Sequence, residues 1–231
     1  MTSPPVDDPE VFRRILGESE ALLLDFDGPV CDLFACLPAS VVADQLCVVL
    51  ADSGHTELPP DVEKSSDPFD VLKYAATLGQ AEADHVNAAF TAHEVEAIAT
   101  AVPTPGAHAL ICDWSTAGRQ LAIVSNNSRT AVDAYLELHD LQRHVSYVSG
   151  RGSADPTLLK PNSYLIYAAI RALKVQSSES IFIGDSLSDL IAARGSSVAF
   201  IAYANKPQKI DAFAYQSVAI TTDLAHLTSR S

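Results

Sequence analysis

The chain has 231 residues, 48% of them hydrophobic, and a formal net charge of −14 at pH 7. Its length and composition predict a globular protein with a large core, while the strong negative charge excludes nucleic acid as the main partner. No apolar run approaches the roughly 20 residues of a membrane span, and neither a secretory signal nor disulfide spacing is found. We expect a cytoplasmic protein without a membrane partner, and the oligomeric state is left open.

Short β-rich runs alternate with helix-like stretches along most of the chain. The runs are "ALLLDF", "QLAIVS", "HVSYVS", "SIFIGD" and "SVAFIAYA". Continuous apolar runs are typical of strands that are covered on both faces. Strands that alternate with helices pair in parallel through right-handed crossovers. The expected fold class is therefore α/β, with a three-layer, Rossmann-like parallel sheet core.

The segment between the first and second strands breaks this alternation. From about residue 33 to 104 the sequence is long and Ala-rich, with three or four helix-like segments and no convincing strand. An insert of this kind predicts an α-helical cap domain over residues 33–104. Residues 1–32 and 105–231 are expected to form the α/β core domain, in which the tail after Tyr203 adds a helix and an edge strand.

Polar side chains follow each of the first four strands, at the edge where open α/β sheets bind ligands. They are Asp25 and Asp27 after the first strand, Ser125, Asn126 and Asn127 after the second, Lys160 in the loop after the third, and Asp185 and Asp189 after the fourth. Each group alone is explained by an ordinary turn, a helix cap or a solvated residue. All four groups in this order predict one functional site.

Two carboxylates separated by one residue are the most informative part of this site. At a strand tip Asp25 and Asp27 lie on the same side of the chain, where like charges are costly unless a cation lies between them. Mg²⁺ prefers oxygen ligands, and Asp25 and Asp185 are suitable direct ligands. A divalent cation together with Lys160 would offset the charge of these acids.

Four segments carry a family resemblance. "DFDGPV", "IVSNN", "LKPNSY" and "IFIGDSLSD" resemble the ordered motifs of the haloacid dehalogenase superfamily, in its Mg²⁺-dependent phosphatase branch. The insert also falls where that family places its helical cap. The resemblance implies a Mg²⁺-dependent phosphomonoester hydrolase that acts on a small phosphorylated metabolite through an aspartyl-phosphate intermediate.

The resemblance also implies a role for each residue of the site. Asp25 is the expected nucleophile, and Asp27 the expected proton donor and acceptor. Ser125 and the amide of Asn126 are expected to hold phosphoryl oxygens, and Lys160 to neutralise charge between phosphate and nucleophile. The expected Mg²⁺ ligands are Asp25, the backbone carbonyl of Asp27, Asp185 and, through water or by orienting its neighbours, Asp189.

Other members of the superfamily remain as alternatives. An acid at Asp27 favours phosphate transfer, because a halide leaving group needs no proton. Sugar-phosphate mutases carry a histidine about a dozen residues beyond the nucleophile, where this chain has Leu37. We therefore favour a hydrolase, with a mutase or phosphotransferase and a non-catalytic phosphate-binding module as the alternatives.

The cap is expected to determine which ester is accepted. His55 and Lys64 are the candidate cap residues that face the site. Lys64 and Lys73 are the only lysines or arginines between residues 33 and 104. The scarcity of cations in the cap predicts a neutral or cationic leaving group. The alternative is that the acidic side chains only solubilise the outer face of the cap. Arg151, after the third strand, assists anion binding or is a surface residue.

Overall fold

The computed structural model describes residues 5–228 of the chain. The strands are β1 Ala21–Leu24, β2 Cys31–Asp32, β3 Val102–Pro103, β4 Gln120–Ser128, β5 Tyr147–Arg151, β6 Ser180–Gly184, β7 Ala199–Tyr203 and β8 Ala219–Thr221. The α-helices are α1 Pro9–Gly17, α2 Ala39–Asp52, α3 Pro60–Glu63, α4 Pro68–Leu78, α5 Gln80–Ile98, α6 Ala107–Thr116, α7 Arg129–Leu138, α8 Tyr164–Leu173, α9 Leu187–Gly195 and α10 Pro207–Phe213. Short 3₁₀ helices span Gln142–His144, Pro156–Leu158, Ser177–Glu179 and Leu224–Leu227.

The main sheet has six parallel strands in the order β5-β4-β1-β6-β7-β8. In its middle, Leu22 of β1 lies level with Leu121 of β4 and Ile181 of β6. Because these strands run in the same direction, their carboxyl ends meet at one edge of the sheet. The predicted parallel α/β fold is confirmed.

Strand β1 is buried on both faces of the sheet. Leu23 belongs to the core beneath α8 and α9, whereas Leu22 and Leu24 belong to the core beneath α1, α6 and α7. Successive strand residues point to opposite faces, so a strand covered by helices on both sides needs an unbroken apolar run. The three layers expected from "ALLLDF" are present.

The helices α2 to α5 form the segment between β2 and β3. The two short strands pair antiparallel, with Cys31 opposite Pro103 and Asp32 opposite Val102, so the chain leaves and re-enters the core side by side. Thr104 then donates a hydrogen bond from Oγ1 to the carbonyl of Gly28 at 2.6 Å. Strand β3 was not expected, because two exposed residues are too few to show the alternation of a strand. Their strand character is visible only in the pairing with β2.

The tail after β7 contains the expected helix, α10, and the expected edge strand, β8. The division into a core domain of residues 1–32 and 105–231 and a cap of residues 33–104 stays a prediction. Residues 1–4 and 229–231 of that core domain lie outside the described range. Among the described helices, none combines the length and apolar character needed to cross a membrane.

Replacing Leu22 by alanine should lower the free energy of unfolding by about 3 kcal/mol, because the central strand cannot close around the cavity left behind. Leu22 is fully buried, whereas Val48, at 58% exposed, provides a matched control on the surface of α2. Urea denaturation of L22A and V48A measures both changes. The control should stay within about 0.5 kcal/mol of the original chain. A loss below about 1 kcal/mol for L22A would contradict the packing described for β1.

Candidate active site

The end of β1 places two carboxylates at the floor of a cavity. The amide of Asp25 donates to the carbonyl of Ile183 at 2.9 Å, which continues the sheet beyond the last strand residue. Phe26 is fully buried in the core, and Asp25 and Asp27 on either side of it line the cavity. Leu33 donates its amide to Asp27 Oδ1 at 3.0 Å. The alternation of a strand thus directs both acids to the same side, as predicted.

The glycine after these acids is required by the approach of the next loop. Gly28 has a φ of +108°, a region that residues with a side chain rarely adopt. A Cβ atom at this position would lie 2.2 Å from Oδ2 of Asp185. Gly28 therefore allows the loop after β1 to lie directly against the loop after β6.

Lys160 lies between two of the acids. Its Nζ is 2.6 Å from Oδ1 of Asp25 and 2.6 Å from Oδ1 of Asp189, and it donates to the carbonyl of Val124 at 3.1 Å. The side chain of Asn126 pairs with the backbone of Lys160, accepting from its amide at 2.7 Å and donating to its carbonyl at 3.0 Å. Asn126 therefore fixes the loop that delivers the lysine.

Asp189 is held in place by the start of α9. Its Oδ2 accepts from Ser186 Oγ at 2.6 Å, from the amide of Ser186 at 3.0 Å and from the amide of Asp185 at 3.2 Å. Ser186 Oγ in turn accepts from the amide of Asp189 at 3.2 Å, which completes a capping box. Asp189 is fully buried, and this arrangement leaves its Oδ1 facing Lys160.

The acids fit a divalent cation. One carboxylate oxygen from each of Asp25, Asp185 and Asp189 lies within 4.8 Å of the others. Three carboxylates so close together are the kind of oxygen-donor set that binds Mg²⁺. The carboxylate of Asp27 is outside this group, and the ligand expected from this residue is its backbone carbonyl.

Burial and neighbouring charge raise the pKa values of two acids at the site. Burial raises the pKa of Asp25 well above its usual value, the charge of Asp189 raises it further, and Lys160 only partly opposes them. Burial also raises the pKa of Asp185. Burial alone would lower the pKa of Lys160, but Asp189 and Asp25 hold it above its usual value. A bound divalent cation would offset this excess of negative charge.

Lys209 is a second cation at the site, which the sequence did not indicate. It lies on α10, and its ammonium group forms an ion pair with Oδ2 of Asp185. The residue belongs to the tail after Tyr203 and follows no strand directly. Only the folding of α10 against the sheet edge brings Lys209 to the acids.

Core and cap together enclose a cavity of about 580 Å³ above Asp25. The core contributes Asp25, Asp27, Ser125, Asn126, Asn127, Pro156, Thr157, Leu159, Lys160, Pro161, Ser186, Ser188 and Asp189, and the cap contributes Asp67, Phe69 and Lys73. Asp67 is the N-cap of α4, and Phe69 and Lys73 lie in its first half and middle. This helix packs against the 3₁₀ helix Pro156–Leu158.

The expected cap contacts need correction. Within the described residues, neither His55 nor Lys64 lines the cavity. His55 instead lies with Nε2 3.4 Å from Oε1 of Glu82, on α5, and Lys64 is an exposed residue at the end of α3. The cap residues that line the cavity lie further along the chain: Asp67 is the N-cap of α4, and Phe69 and Lys73 belong to this helix.

The family of the chain follows from a match to a family model. The model for haloacid dehalogenase-like hydrolases matches residues 67–203, which is more than half of the chain. The chain therefore belongs to the haloacid dehalogenase-like hydrolases, and the predicted superfamily is confirmed. Among curated proteins, no significant match to the sequence is found.

Solved structures share the fold over most of the chain. CbbY from Rhodobacter sphaeroides, in complex with phosphate, has a TM-score of 0.64 and 19% identity, covering 90% of this chain and 96% of that one. A predicted phosphatase from Clostridium acetobutylicum has a TM-score of 0.63 and 17% identity, covering 88% and 94%. A subfamily IA hydrolase from Geobacter sulfurreducens PCA has a TM-score of 0.58 and 20% identity, covering 91% and 95%. At these identities the similarity establishes a common fold.

Replacing Asp27 by asparagine should stabilise the metal-free chain above about pH 6. Burial raises the pKa of Asp27 to about 6, although the bond from Leu33 opposes the rise. The folded state then holds the proton more tightly than the unfolded state, so this residue contributes a loss of stability as pH rises from about 4 to 6.

Urea denaturation in EDTA tests whether D27N is more stable than the original chain and how the difference depends on pH. At about pH 7.5, D27N should be more stable than the original chain by about 2–3 kcal/mol, and the difference should vanish near pH 4. A difference that does not change with pH would show that the carboxylate is not destabilised by its burial.

Proposed function

We propose that this protein is a Mg²⁺-dependent phosphomonoester hydrolase that acts on a small phosphorylated metabolite through an aspartyl-phosphate on Asp25. The position of Asp25 carries the proposal. It lies at the floor of a cavity, with Lys160 at 2.6 Å and oxygens of Asp185 and Asp189 within 4.8 Å of its own. A carboxylate attacks a dianionic ester only where positive charge offsets the repulsion. Lys160 supplies part of that charge, and a divalent cation held by the three acids would supply the rest.

The first half of the reaction uses both acids after β1. Oδ1 of Asp25 accepts from the amide of Phe26 at 2.8 Å and from Lys160, whereas Oδ2 accepts no hydrogen bond from the described residues. Oδ2 is thus available to form the new bond to phosphorus. As the ester P–O bond breaks, protonated Asp27 gives its proton to the leaving alkoxide.

The second half restores the enzyme. Asp27, now a carboxylate, takes a proton from water as the water oxygen attacks phosphorus. The bond between phosphorus and Asp25 breaks, and inorganic phosphate leaves. Because the pKa of Asp27 lies at about 6, one residue serves as acid and then as base near neutral pH.

The phosphoryl group is held by the residues around the cavity floor. Ser125 and Asn126 line the cavity beside Asp25, and Lys160 offsets charge between nucleophile and phosphate. A Mg²⁺ ion held by Asp25, Asp185 and Asp189 would supply further stabilisation of the negative phosphoryl oxygens.

Small phosphate esters are the substrate class that the comparisons support. CbbY has been solved with phosphate, and a variant of it with xylulose-(1,5)bisphosphate. At the position where mutases carry a histidine, Leu37 packs as a partly buried apolar residue, which favours hydrolysis over phosphate transfer. Lys73, a cap cation at the cavity, is already paired with Asp70 at 2.9 Å. This pairing supports a neutral or cationic leaving group.

Release of phosphate from p-nitrophenyl phosphate tests the chemistry. The original chain should require Mg²⁺ and lose activity in EDTA. D25N should be inactive, because it has no nucleophile. D27N should release about one p-nitrophenolate per chain in a rapid first phase, since this good leaving group needs little protonation. Turnover should then be slow, since the second step needs the base. Its steady-state rate should fall by about 10²- to 10⁴-fold.

The matched control is D84N, at an exposed position of α5, which should keep full activity. Persistent turnover by D25N would refute a nucleophilic role for this residue. A chain that is inactive with Mg²⁺ on aryl phosphate and on a broad panel of natural esters would favour the non-catalytic alternative.

Product stoichiometry distinguishes hydrolysis from transfer. With any natural ester that is consumed, the account expects one inorganic phosphate for each ester lost, because water is the second acceptor. Chromatography of the products together with a phosphate assay measures this ratio. A new phosphorylated isomer in place of free phosphate would establish the mutase alternative.

A further inference from the structure

A buried ion pair joins the cap to the core beside the phosphate-binding turn, which we define as residues 125–128 at the end of β4. Glu94 of α5 is fully buried, and the side chain of Arg151, the last residue of β5, is 1% exposed. Nη2 of Arg151 donates to Oε2 of Glu94 at 2.6 Å. In the described part of the chain neither residue lines the cavity above Asp25, so the pair acts on the site through its neighbours.

Glu94 bonds directly to the turn. Its Oε1 accepts from Nδ2 of Asn127 at 3.1 Å, and its Oε2 accepts from the amide of Ser128 at 3.0 Å. A carboxylate can only accept hydrogen bonds. Glu94 therefore requires Asn127 to present its NH₂ group to the cap, which directs the carbonyl oxygen of this amide to the other side.

That carbonyl oxygen is bonded to Ser125. The Oγ of Ser125 donates to Oδ1 of Asn127 at 2.9 Å and accepts from the amide of Asn127 at 3.1 Å. A hydroxyl has one hydrogen, and here it is used by Asn127. To donate to a phosphoryl oxygen, Ser125 must break this bond and leave a buried Oδ1 unpaired, because Asn127 is only 4% exposed.

Arg151 is committed to the same cluster. It donates from Nε to the carbonyl of Asn126 at 3.2 Å and from Nη1 to Thr91 at 3.4 Å. Its guanidinium group also lies over Phe90, 4.5 Å from the ring centroid. The sequence left Arg151 as either a residue that assists anion binding or a surface residue. With these partners and Glu94, its guanidinium group is buried and fully engaged within the protein, so neither interpretation describes it.

We propose that Glu94 is a positioning residue for the phosphate-binding turn: it sets the direction of the Asn127 amide and so holds the Ser125 hydroxyl proton away from bound phosphate. Stability alone does not require this arrangement, because well-packed apolar residues often replace a buried ion pair without loss. The inference rests on the proposed function, in which Ser125 contacts the phosphoryl group. The result is a lower affinity for phosphate, which favours release of the product.

Binding of inorganic phosphate to the full chain with Mg²⁺, measured by titration calorimetry, tests this proposal. In E94Q, the glutamine keeps its oxygen toward Arg151 and Ser128 and turns its NH₂ toward Asn127. Asn127 must then reverse its amide, which frees the proton of Ser125 for phosphate. E94Q should bind phosphate about three- to tenfold more tightly than the original chain. The control E96Q, on the same helix with a side chain 73% exposed, should not change the affinity.

A double-mutant cycle distinguishes an effect of Glu94 that acts through Ser125 from a direct effect of its negative charge on phosphate. In an S125A background, E94Q should change phosphate affinity by less than about twofold, because the group through which it acts is missing. Equal tightening with and without Ser125 would overturn the proposal, since the lost charge of Glu94 would then explain the effect.

A second variant keeps the proposal testable if E94Q does not fold, which thermal unfolding would show. N127A leaves the pair of Glu94 and Arg151 in place and removes the acceptor that competes for the Ser125 proton. N127A should tighten phosphate binding in the same way. Unchanged or weaker binding would overturn the proposed role of Glu94 but not the proposed function. Failure of the original chain to bind phosphate with Mg²⁺ would overturn the proposed function as well.

Discussion

The buried contact of Lys160 with Asp25 and Asp189 is the interaction on which the rest of the site depends. Buried charges persist only when they are paired and hydrogen-bonded, and here each partner has its own support. Asn126 holds the backbone of Lys160, and the capping box of α9 holds Asp189. Even so, burial and like charge keep the pKa of Asp25 high. Oxygens of Asp25, Asp185 and Asp189 lie within 4.8 Å of one another, so these acids could hold a divalent cation that would offset their charge.

The fold brings these groups together through the parallel order of its strands. The acids follow β1 and β6, which are neighbours in the sheet, and residues 125–128 form the end of β4, on the other side of β1. The cap adds two contacts of different kinds. Helix α4 provides Phe69 and the other cap residues of the cavity, whereas α5 reaches the turn through Glu94. The segment between β2 and β3 therefore contacts the cavity through α4 and residues 125–128 through α5.

The features that could be predicted from the sequence are those marked by a local pattern, such as the end of a strand or the start of a helix. An apolar run that stops at Asp25, or a Ser186 three residues before Asp189, indicates where a strand ends or a helix begins, and the sheet brings such ends together. Residues without such a signal were missed or misplaced. Lys209 and Glu94 lie on helices, where nothing in the local pattern distinguishes a site residue from a surface or core residue. His55 was expected at the cavity, but the packing of α4 decides which cap residues reach the site.

Identification of the phosphorylated residue tests the central claim most directly. D27N is incubated with an aryl phosphate and Mg²⁺, quenched in acid, digested and examined by mass spectrometry. The account predicts one phosphoryl group on the peptide that contains Asp25, and none when Asp25 is also replaced by asparagine. A phosphoryl group on another residue, or phosphate release by the original chain with no phosphorylated peptide trapped in D27N, would contradict it.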